Sequence, residues 1–208
     1  KMDQYDGTFH DEIREFGLPS CKLPGDPELS DAIMEGAFDR GVDFAFSNEL
    51  TIDHSIIVPM LFVRPEMDIP IVPILTNCIA PPMPRPRRFY EVGKAIRAAI
   101  DSLSTNKRIG ILVSGHLSLE IGGPKQFERH LTDPDFDAAA VGWIVNGDIQ
   151  SAAEGCTPAK MMKAGNMTTG YLNFLMMMGV ANAAKPSHAE GLDAGFPAIP
   201  FFSWDQPA

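Results

Sequence analysis

The sequence predicts an α/β fold with a mixed central sheet and helices on both of its faces. Strand-like runs (residues 42–46 and 108–114) alternate along the chain with segments of helical periodicity (27–40 and 87–103). Such alternation is typical of a sheet that is covered by helices. The chain has 208 residues, of which 45% are hydrophobic, and this is enough to bury one core. We therefore predict a single domain over residues 1–208.

The helical segments share one pattern. Apolar residues recur every three or four positions, so that one face of each segment can be buried. In the first segment Leu29, Ile33 and Ala37 carry the repeat, and Gly41 ends it. The predicted helices are residues 27–40, 87–103, 135–145, 157–164 and 167–180.

The strand predictions rest on short apolar runs, of which residues 69–75 are rich in β-branched residues. Residues 42–46 are predicted as a short strand and residues 108–114 as a buried strand. Residues 69–75 contain Pro70 and Pro73, which favour an edge or bulged strand because proline cannot donate to a ladder. The aromatic, proline-bearing tail (residues 185–208) is predicted either to cover the core or to bind a partner.

Composition excludes several classes of protein. The net charge of −10 and the short cationic stretch at 85–88 argue against nucleic-acid binding. No apolar run approaches about 18 residues, so we expect no membrane-spanning helix. Three cysteines, widely spaced and odd in number, fit a reducing compartment better than a disulfide framework. We expect a cytoplasmic protein, since the chain begins without a signal-peptide pattern.

The first candidate site is a polar cluster between a strand-like run and an apolar run. It comprises Asn48, Glu49, Asp53 and His54. Functional side chains concentrate where a rigid element ends in a loop. An Asp-His pair there can transfer protons, bind a metal or hold a substrate. The alternative is structural: Asp53 caps the next element and His54 is a satisfied polar residue.

The second candidate is His116, which follows the predicted strand 108–114. Ligands in α/β proteins bind at the carboxyl ends of strands. Gly115 allows a substrate to approach the backbone closely, and Glu120 provides a nearby carboxylate. Because His54 and His116 both follow strand-like segments, we expect them to face one pocket. The structural alternative is a loop histidine bonded to the backbone.

Four motifs in sequence order resemble the class III extradiol ring-cleavage dioxygenases. Asn48-Glu49-Leu50 through Asp53-His54 to Val58-Pro59 resembles the family's N-E-L…D-H…V-P segment. Residues 111–119 (ILVSGHLSL) are similar to its strand followed by S/T-G-G-(L/M)-S-H. The stretches 136–149 and 164–179 resemble its later F-D…G-x-I and A-G…E…W…G helices.

The resemblance implies a non-haem Fe(II) enzyme that opens catechol-like or aminophenol-like rings with O2. In that family two histidines and one glutamate hold the iron, and a loop histidine acts as acid and base. It also implies a small aromatic substrate, a homo- or hetero-oligomer, and no nucleic-acid or membrane partner. By this resemblance His54 occupies an active-site position of the family. With His116, which is chosen for its place after the predicted strand, it forms the pair of candidate catalytic residues. Asn48, Glu49 and Asp53 are expected to contact the substrate.

The positions that match the family's ligands carry other residues. Gln4 stands at a ligand histidine, Gly170 at the ligand glutamate and Leu119 at the acid–base histidine. The family's first strand-helix unit has no counterpart, so we expect the domain to be N-terminally incomplete relative to the family. The metal ligands are therefore unknown, and the nearest substitutes are His10, Glu49, Glu120, His54 and His116.

These departures leave two hypotheses. The first is a ring-cleaving dioxygenase in which His54 binds or deprotonates the substrate and His116 replaces the missing acid–base histidine. The second is a catalytically degenerate structural or regulatory subunit of such an enzyme. A binding protein that kept the aromatic pocket without iron is a third reading.

Overall fold

A computed structural model describes residues 3–7, 21–124, 126, 132–192 and 199–205. Helices and strands both occur in these ranges, which confirms the α/β class. The chain forms two compact units: Lys1–Leu75 with Ala98–Lys107, and Thr76–Arg97 with Arg108–Ala208. That all 208 residues act as one domain stays a prediction.

The described part of the first unit contains a small mixed sheet and two complete helices. Its elements are β1 (Gln4–Gly7), β2 (Cys21–Pro24), α1 (Pro27–Phe38), β3 (Thr51–Ile52) and α2 (His54–Val63). Strand β1 lies in the centre, antiparallel to β2 and parallel to β3. One face of α2 is buried against the sheet residues in a cluster of Leu23, Ile52, Ile57 and Met60.

The second unit is mainly helical. Its elements are α3 (Pro86–Asp101, of which residues 86–97 belong here), α4 (Pro134–Asn146), α5 (Ile149–Gly155), α6 (Pro158–Ala164), a 3-10 helix (Thr168–Tyr171), α7 (Leu172–Val180), β4 (His188–Leu192) and β5 (Ile199–Ser203). Strands β4 and β5 form an antiparallel pair. Helix α7 is the most deeply buried element, which explains its almost wholly apolar sequence.

Two of the predicted strands are wrong. Residues 42–46 and 108–114 form no strand ladder with any residue that the structure describes. Residues 69–75 form a single bridge, from Ile71 to Gly25. The physical reason is that β-branched composition reports fitness for a pleated, half-buried surface, whereas a strand also needs a hydrogen-bonding partner.

The described part of the tail covers the core of its own unit. In β5 the ring of Phe202 packs edge-on against Phe174 of α7, with centroids 6.0 Å apart. The indole nitrogen of Trp204 donates to the carbonyl of Ala184 at 2.9 Å. Phe201 points the other way and is 51% exposed. Separately, no helix in the described ranges has the length and apolarity needed to cross a membrane.

Candidate functional site

The first candidate cluster lies in the first unit, at the start of α2. The carboxylate of Asp53 accepts from the Ser55 main-chain N–H at 2.9 Å and from the Ser55 hydroxyl at 2.5 Å. Asp53 is thus the N-cap of α2, and His54 is the first residue of the helix. The capping role foreseen as the structural alternative for Asp53 is present. A role in substrate contact or proton transfer stays a prediction for both residues.

Asn48 and Glu49 lie on an exposed turn just before β3. The Ser47 hydroxyl donates to the Glu49 carbonyl at 2.6 Å, and the Glu49 N–H lies 3.1 Å from the same hydroxyl oxygen. These bonds use the main chain of Glu49 and leave its carboxylate to other partners. The turn is therefore held by the Ser47 hydroxyl, which bonds to the main chain two residues further on.

His116 lies in the second unit on an irregular segment after residue 114. Its Nδ1 is 3.2 Å from the carbonyl oxygen of Leu117. A carbonyl can only accept, so Nδ1 carries the proton in the neutral ring. Burial lowers the pKa of the imidazole, which favours that neutral form. Nε2 then keeps its lone pair, and it has no hydrogen-bond partner among the residues that the structure describes.

The imidazole of His116 lies directly against the backbone of Gly170. A β-carbon placed on Gly170 would be 2.4 Å from Nε2 and 2.5 Å from Cε1 of His116. The space is available only because residue 170 has no side chain. Sequence reasoning identified both positions but missed their contact.

The loop that carries His116 is held on one side by a buried carboxylate. Asp137, in the first turn of α4, accepts from the Ser118 N–H at 2.7 Å and from the Ser118 hydroxyl at 2.8 Å. Both residues are almost fully buried, with 4% and 1% of their surfaces exposed. Burial raises the pKa of Asp137, and the two hydrogen bonds from Ser118 oppose that rise. Sequence reasoning missed this pair.

A turn between α6 and the 3-10 helix holds the other side of the loop. The Leu119 N–H donates to the Thr168 hydroxyl oxygen at 3.1 Å, and the Leu119 carbonyl accepts from the Met167 N–H at 2.9 Å. The amide side chain of Asn166 accepts from the N–H of Ile121 at 2.9 Å and donates to its carbonyl at 2.7 Å. The segment is therefore rigid although it belongs to no helix or strand.

A side-chain amide in α7 binds the segment of chain that leads into His116. Nδ2 of Asn173 donates to the Ser114 carbonyl at 2.9 Å. Its Oδ1 accepts from the Thr76 hydroxyl at 2.6 Å and from the Cys78 thiol at 3.5 Å. Asn173 thus joins three segments that are distant in sequence. The sequence did not predict this role of Asn173, because a single asparagine in an apolar helix belongs to no recognisable motif.

The described residues do not fit a three-ligand iron site. No group of three or more His, Cys, Asp or Glu side chains comes together within them. The side chains of Gly170 and Leu119 contain no atom that can ligate a metal. The buried hydroxyl of Thr169 has no partner in the described part of the chain, but a neutral hydroxyl is a poor ligand for iron beside imidazole or carboxylate.

The sequence-predicted site residues fall into two groups. Asn48, Glu49, Asp53 and His54 lie close together in sequence in the first unit, whereas His116 belongs to the second. Their meeting at one pocket stays a prediction. Glu120 folds over Gly123, where a β-carbon would be 2.0 Å from its carboxylate oxygen. His10 lies outside the described residues.

An α/β scaffold with a neutral loop histidine fits the aromatic ring-opening dioxygenases. Residues 4–197 match the family described as the catalytic LigB subunit of aromatic ring-opening dioxygenase. This match covers most of the chain, and the chain therefore belongs to that family. The resemblance drawn from its sequence motifs is confirmed.

Individual relatives agree with the family. The chain is 30% identical over 146 residues to a 2,3-dihydroxyphenylpropionate/2,3-dihydroxicinnamic acid 1,2-dioxygenase of Klebsiella pneumoniae (strain 342), which covers 63% of this chain and 46% of the relative. The same values hold for the Escherichia coli (strain K12 / DH10B) enzyme of that name. A second such dioxygenase, from Pseudomonas putida, is 32% identical over 129 residues, or 56% of this chain and 40% of the relative. The chain thus spans about half the length of the curated relatives it matches.

Proposed function

We propose that this protein acts in the oxidative opening of aromatic rings, as a dioxygenase that uses O2 and a catechol-like or aminophenol-like substrate. Membership of the ring-opening dioxygenase family supports the reaction class. The observation that carries the proposal is the neutral imidazole of His116 on a loop that is held from both sides. Such a loop can present one nitrogen lone pair at a fixed position.

His116 is suited to exchange a proton with a phenolic hydroxyl. The Nε2 lone pair accepts the proton while Nδ1–H stays bonded to Leu117, so the ring need not rotate. A phenol has an ordinary pKa of about 10 and needs a base to react near neutral pH. A lowered pKa lets the imidazolium release the proton again in a later step.

The cluster at the start of α2 is proposed to contact the substrate. His54 is the second catalytic candidate, with Asn48, Glu49 and Asp53 as binding residues. Asp53 already accepts two hydrogen bonds from Ser55, which fixes the orientation of its carboxylate. Fe(II) is expected from the family, but the described residues form no set of three ligands for it.

We also propose a cytoplasmic location and assembly into a homo- or hetero-oligomer. The three cysteines are all free thiols in the described structure, in accord with a reducing compartment. The family resemblance supports the oligomer.

The function is tested by iron content together with oxygen uptake. The protein is purified without oxygen, loaded with Fe(II), freed of excess metal and assayed with protocatechuate, gallate and 2-aminophenol. The proposal predicts oxygen consumption and a ring-opened product, and therefore an iron site other than a three-ligand group of the described residues. His116→Gln is expected to lower the rate by roughly 10²-fold or more, as removal of a general base does. His188→Gln, on the exposed hairpin, is the matched control and should keep full activity.

Two outcomes contradict the proposal. If the chain binds iron and turns over while His116→Gln keeps the full rate, His116 has no catalytic role. If the chain binds no iron and consumes no oxygen with any of the three substrates, the degenerate-subunit hypothesis replaces the enzyme.

A further inference from the structure

We propose that Asp137 is a positioning residue that acts on His116 through the peptide unit between Leu117 and Ser118. The carboxylate holds one end of this peptide, and the imidazole binds the other end. The inference rests on the proposed role of His116 as a proton acceptor.

The geometry of this relay follows from two contacts and the planarity of the peptide between them. The Nδ1–H of His116 donates to the Leu117 carbonyl at 3.2 Å. The N–H of the same peptide unit belongs to Ser118 and donates to Oδ1 of Asp137 at 2.7 Å. Because the peptide is planar, fixing its N–H direction also fixes its C=O direction. Asp137 therefore determines where the acceptor for His116 lies.

The hydroxyl of Ser118 strengthens the hold of Asp137 on the loop. It donates to Oδ2 of Asp137 at 2.8 Å and accepts from the Asp133 N–H at 3.0 Å. Both carboxylate oxygens thus serve one residue, which fixes the peptide plane and the side-chain rotamer together. A capping role for α4 does not explain this arrangement, since Asp133 already caps that helix.

The relay also has an electronic consequence for His116. A negative charge that accepts from the N–H polarises the peptide and makes its carbonyl a stronger acceptor. A stronger acceptor at Nδ1–H stabilises the imidazolium and increases the basicity of Nε2. In the structure this effect opposes burial, which lowers the pKa of His116. The half-buried imidazole of His116 is therefore expected to remain able to accept a proton.

Among the described residues, few other charged groups influence Asp137 and His116. Asp133 is the one carboxylate that adds to the pKa of Asp137 through its charge. Tyr171, on the 3-10 helix against which His116 packs, has a raised pKa because it is buried. It is therefore a neutral phenol, and its hydroxyl donates to the Ala140 carbonyl. Asp137 is thus the group whose removal should change His116.

The relay is tested by ¹⁵N NMR of histidine-labelled protein, which reports the tautomer and the pKa of His116. Wild type is compared with D137N, D137A and S118A. D137N keeps an oxygen acceptor for the Ser118 N–H and removes the charge, so the Nδ1–H tautomer should persist while the pKa of His116 falls by about half a unit or more. D137A should give a mixture of tautomers. S118A keeps the peptide N–H, so both properties should stay near wild type.

Asp148→Ala is the matched control. Asp148 caps α5 through the Ser151 N–H at 3.0 Å, so the variant loses a capping carboxylate in the same unit without contact to the loop. It should leave His116 unchanged. If the tautomer and pKa of His116 are the same in wild type, D137N and D137A, the relay is wrong. If D137A does not fold, the fall of the pKa in D137N alone decides the question.

An activity measurement separates this inference from the proposed function. If wild type consumes oxygen, D137A should lower kcat at least tenfold with a smaller change in KM, and D137N should recover part of the loss. If wild type shows no turnover, the proposed function fails, and the NMR comparison still decides whether Asp137 governs His116.

Discussion

Two glycines allow close packing around His116, one against its ring and one beside it in the chain. Gly170 faces the imidazole, and a β-carbon on Gly115 would come within 3.0 Å of the Phe174 ring and of the Gly170 carbonyl. Neither glycine has a positive φ, so close approach and not backbone conformation explains why these residues are small. The family resemblance places the ligand glutamate at position 170. A β-carbon at 170 would overlap the ring of His116 in its present position, so the two departures from the family pattern meet at one place in the fold.

This overlap gives a prediction for Gly170→Ala. The new β-carbon would overlap the imidazole, and overpacking of this kind costs about 1–3 kcal/mol of unfolding free energy. In the double variant His116→Ala/Gly170→Ala the space is free again, so the loss at 170 should largely disappear. Urea unfolding of wild type, both single variants and the double variant measures the coupling. Additive losses would show that the two residues do not compete for one space.

Two substitutions of Asp53 distinguish a capping role from a role in the reaction. Asparagine caps a helix about as well as aspartate, whereas alanine costs about 1 kcal/mol. We therefore expect D53N to keep the stability of wild type and D53A to lose about 1 kcal/mol, as measured by urea unfolding. If the carboxylate also takes part in the reaction, D53N should lower oxygen uptake. Equal uptake in D53N and wild type would assign Asp53 to the cap alone.

At the scale of elements, α3 and α7 approach each other so closely that only glycine fits at the crossing. A β-carbon on Gly93 would be 1.9 Å from the Met176 carbonyl oxygen, and one on Gly179 would be 2.1 Å from the Tyr90 carbonyl oxygen. The obstacles are backbone atoms, which cannot move without shifting a helix. The glycines thus set the distance between the two helices.

Gly93→Ala and Gly179→Ala should therefore each destabilise the protein by about 2 kcal/mol or more. Gly142→Ala is the control, because a β-carbon there meets nothing within 4 Å. In α4 that substitution should be neutral or stabilising by up to about 1 kcal/mol, since alanine favours the helix. Thermal or urea unfolding measures all three. Equal effects at the three sites would mean that α3 and α7 are not in close contact.

The elements also show what the sequence could and could not predict. Helices α1, α4 and α6 begin and end within two residues of the predicted bounds, because caps and proline at the first turn are local signals. Helix α5 was missed because its seven residues contain one large apolar side chain, Ile149, and therefore no apolar repeat. Strand β1 was missed because strands depend on partners distant in sequence, and the same dependence explains the wrong strand at residues 108–114.

The residues of the candidate site also differ in whether local sequence or distant contacts determine their roles. Asp53 stands at a local boundary, the start of α2, whereas His116 was chosen because it follows a predicted strand that the described residues do not form. The functional roles of both residues stay predictions. Asp137, Asn166 and Asn173 were missed because their roles arise from contacts with loops far along the chain. The clash between His116 and a side chain at 170 is likewise a property of the fold.

For the whole molecule, the net charge of −10 means that rising pH adds repulsion to an already acidic protein. Three buried groups further lower the free energy of unfolding as pH rises. Burial raises the pKa of the Cys78 thiol, the pKa of the Cys156 thiol to about 12, and the pKa of the Tyr171 phenol well above its ordinary value. All three stay protonated in the folded state when their unfolded counterparts ionise. Their contribution to the free energy of unfolding is complete below the ordinary pKa values of the unfolded groups, and it is lost as pH rises through the higher pKa values of the folded state.

The last prediction concerns unfolding in alkali. Cys156 has an ordinary pKa of 9.0 and a folded pKa of about 12. Between these values the unfolded chain binds one proton fewer at this thiol, which lowers the unfolding free energy by up to about 1.4 kcal/mol per pH unit. Cys156→Ala removes this contribution and leaves the charge at pH 7 unchanged. Urea unfolding from pH 7 to 11 in the presence of a reductant should therefore give parallel curves for both proteins up to about pH 9. Above that pH the wild type should lose stability more steeply. Curves that stay parallel throughout would show that Cys156 is accessible to solvent in the folded protein.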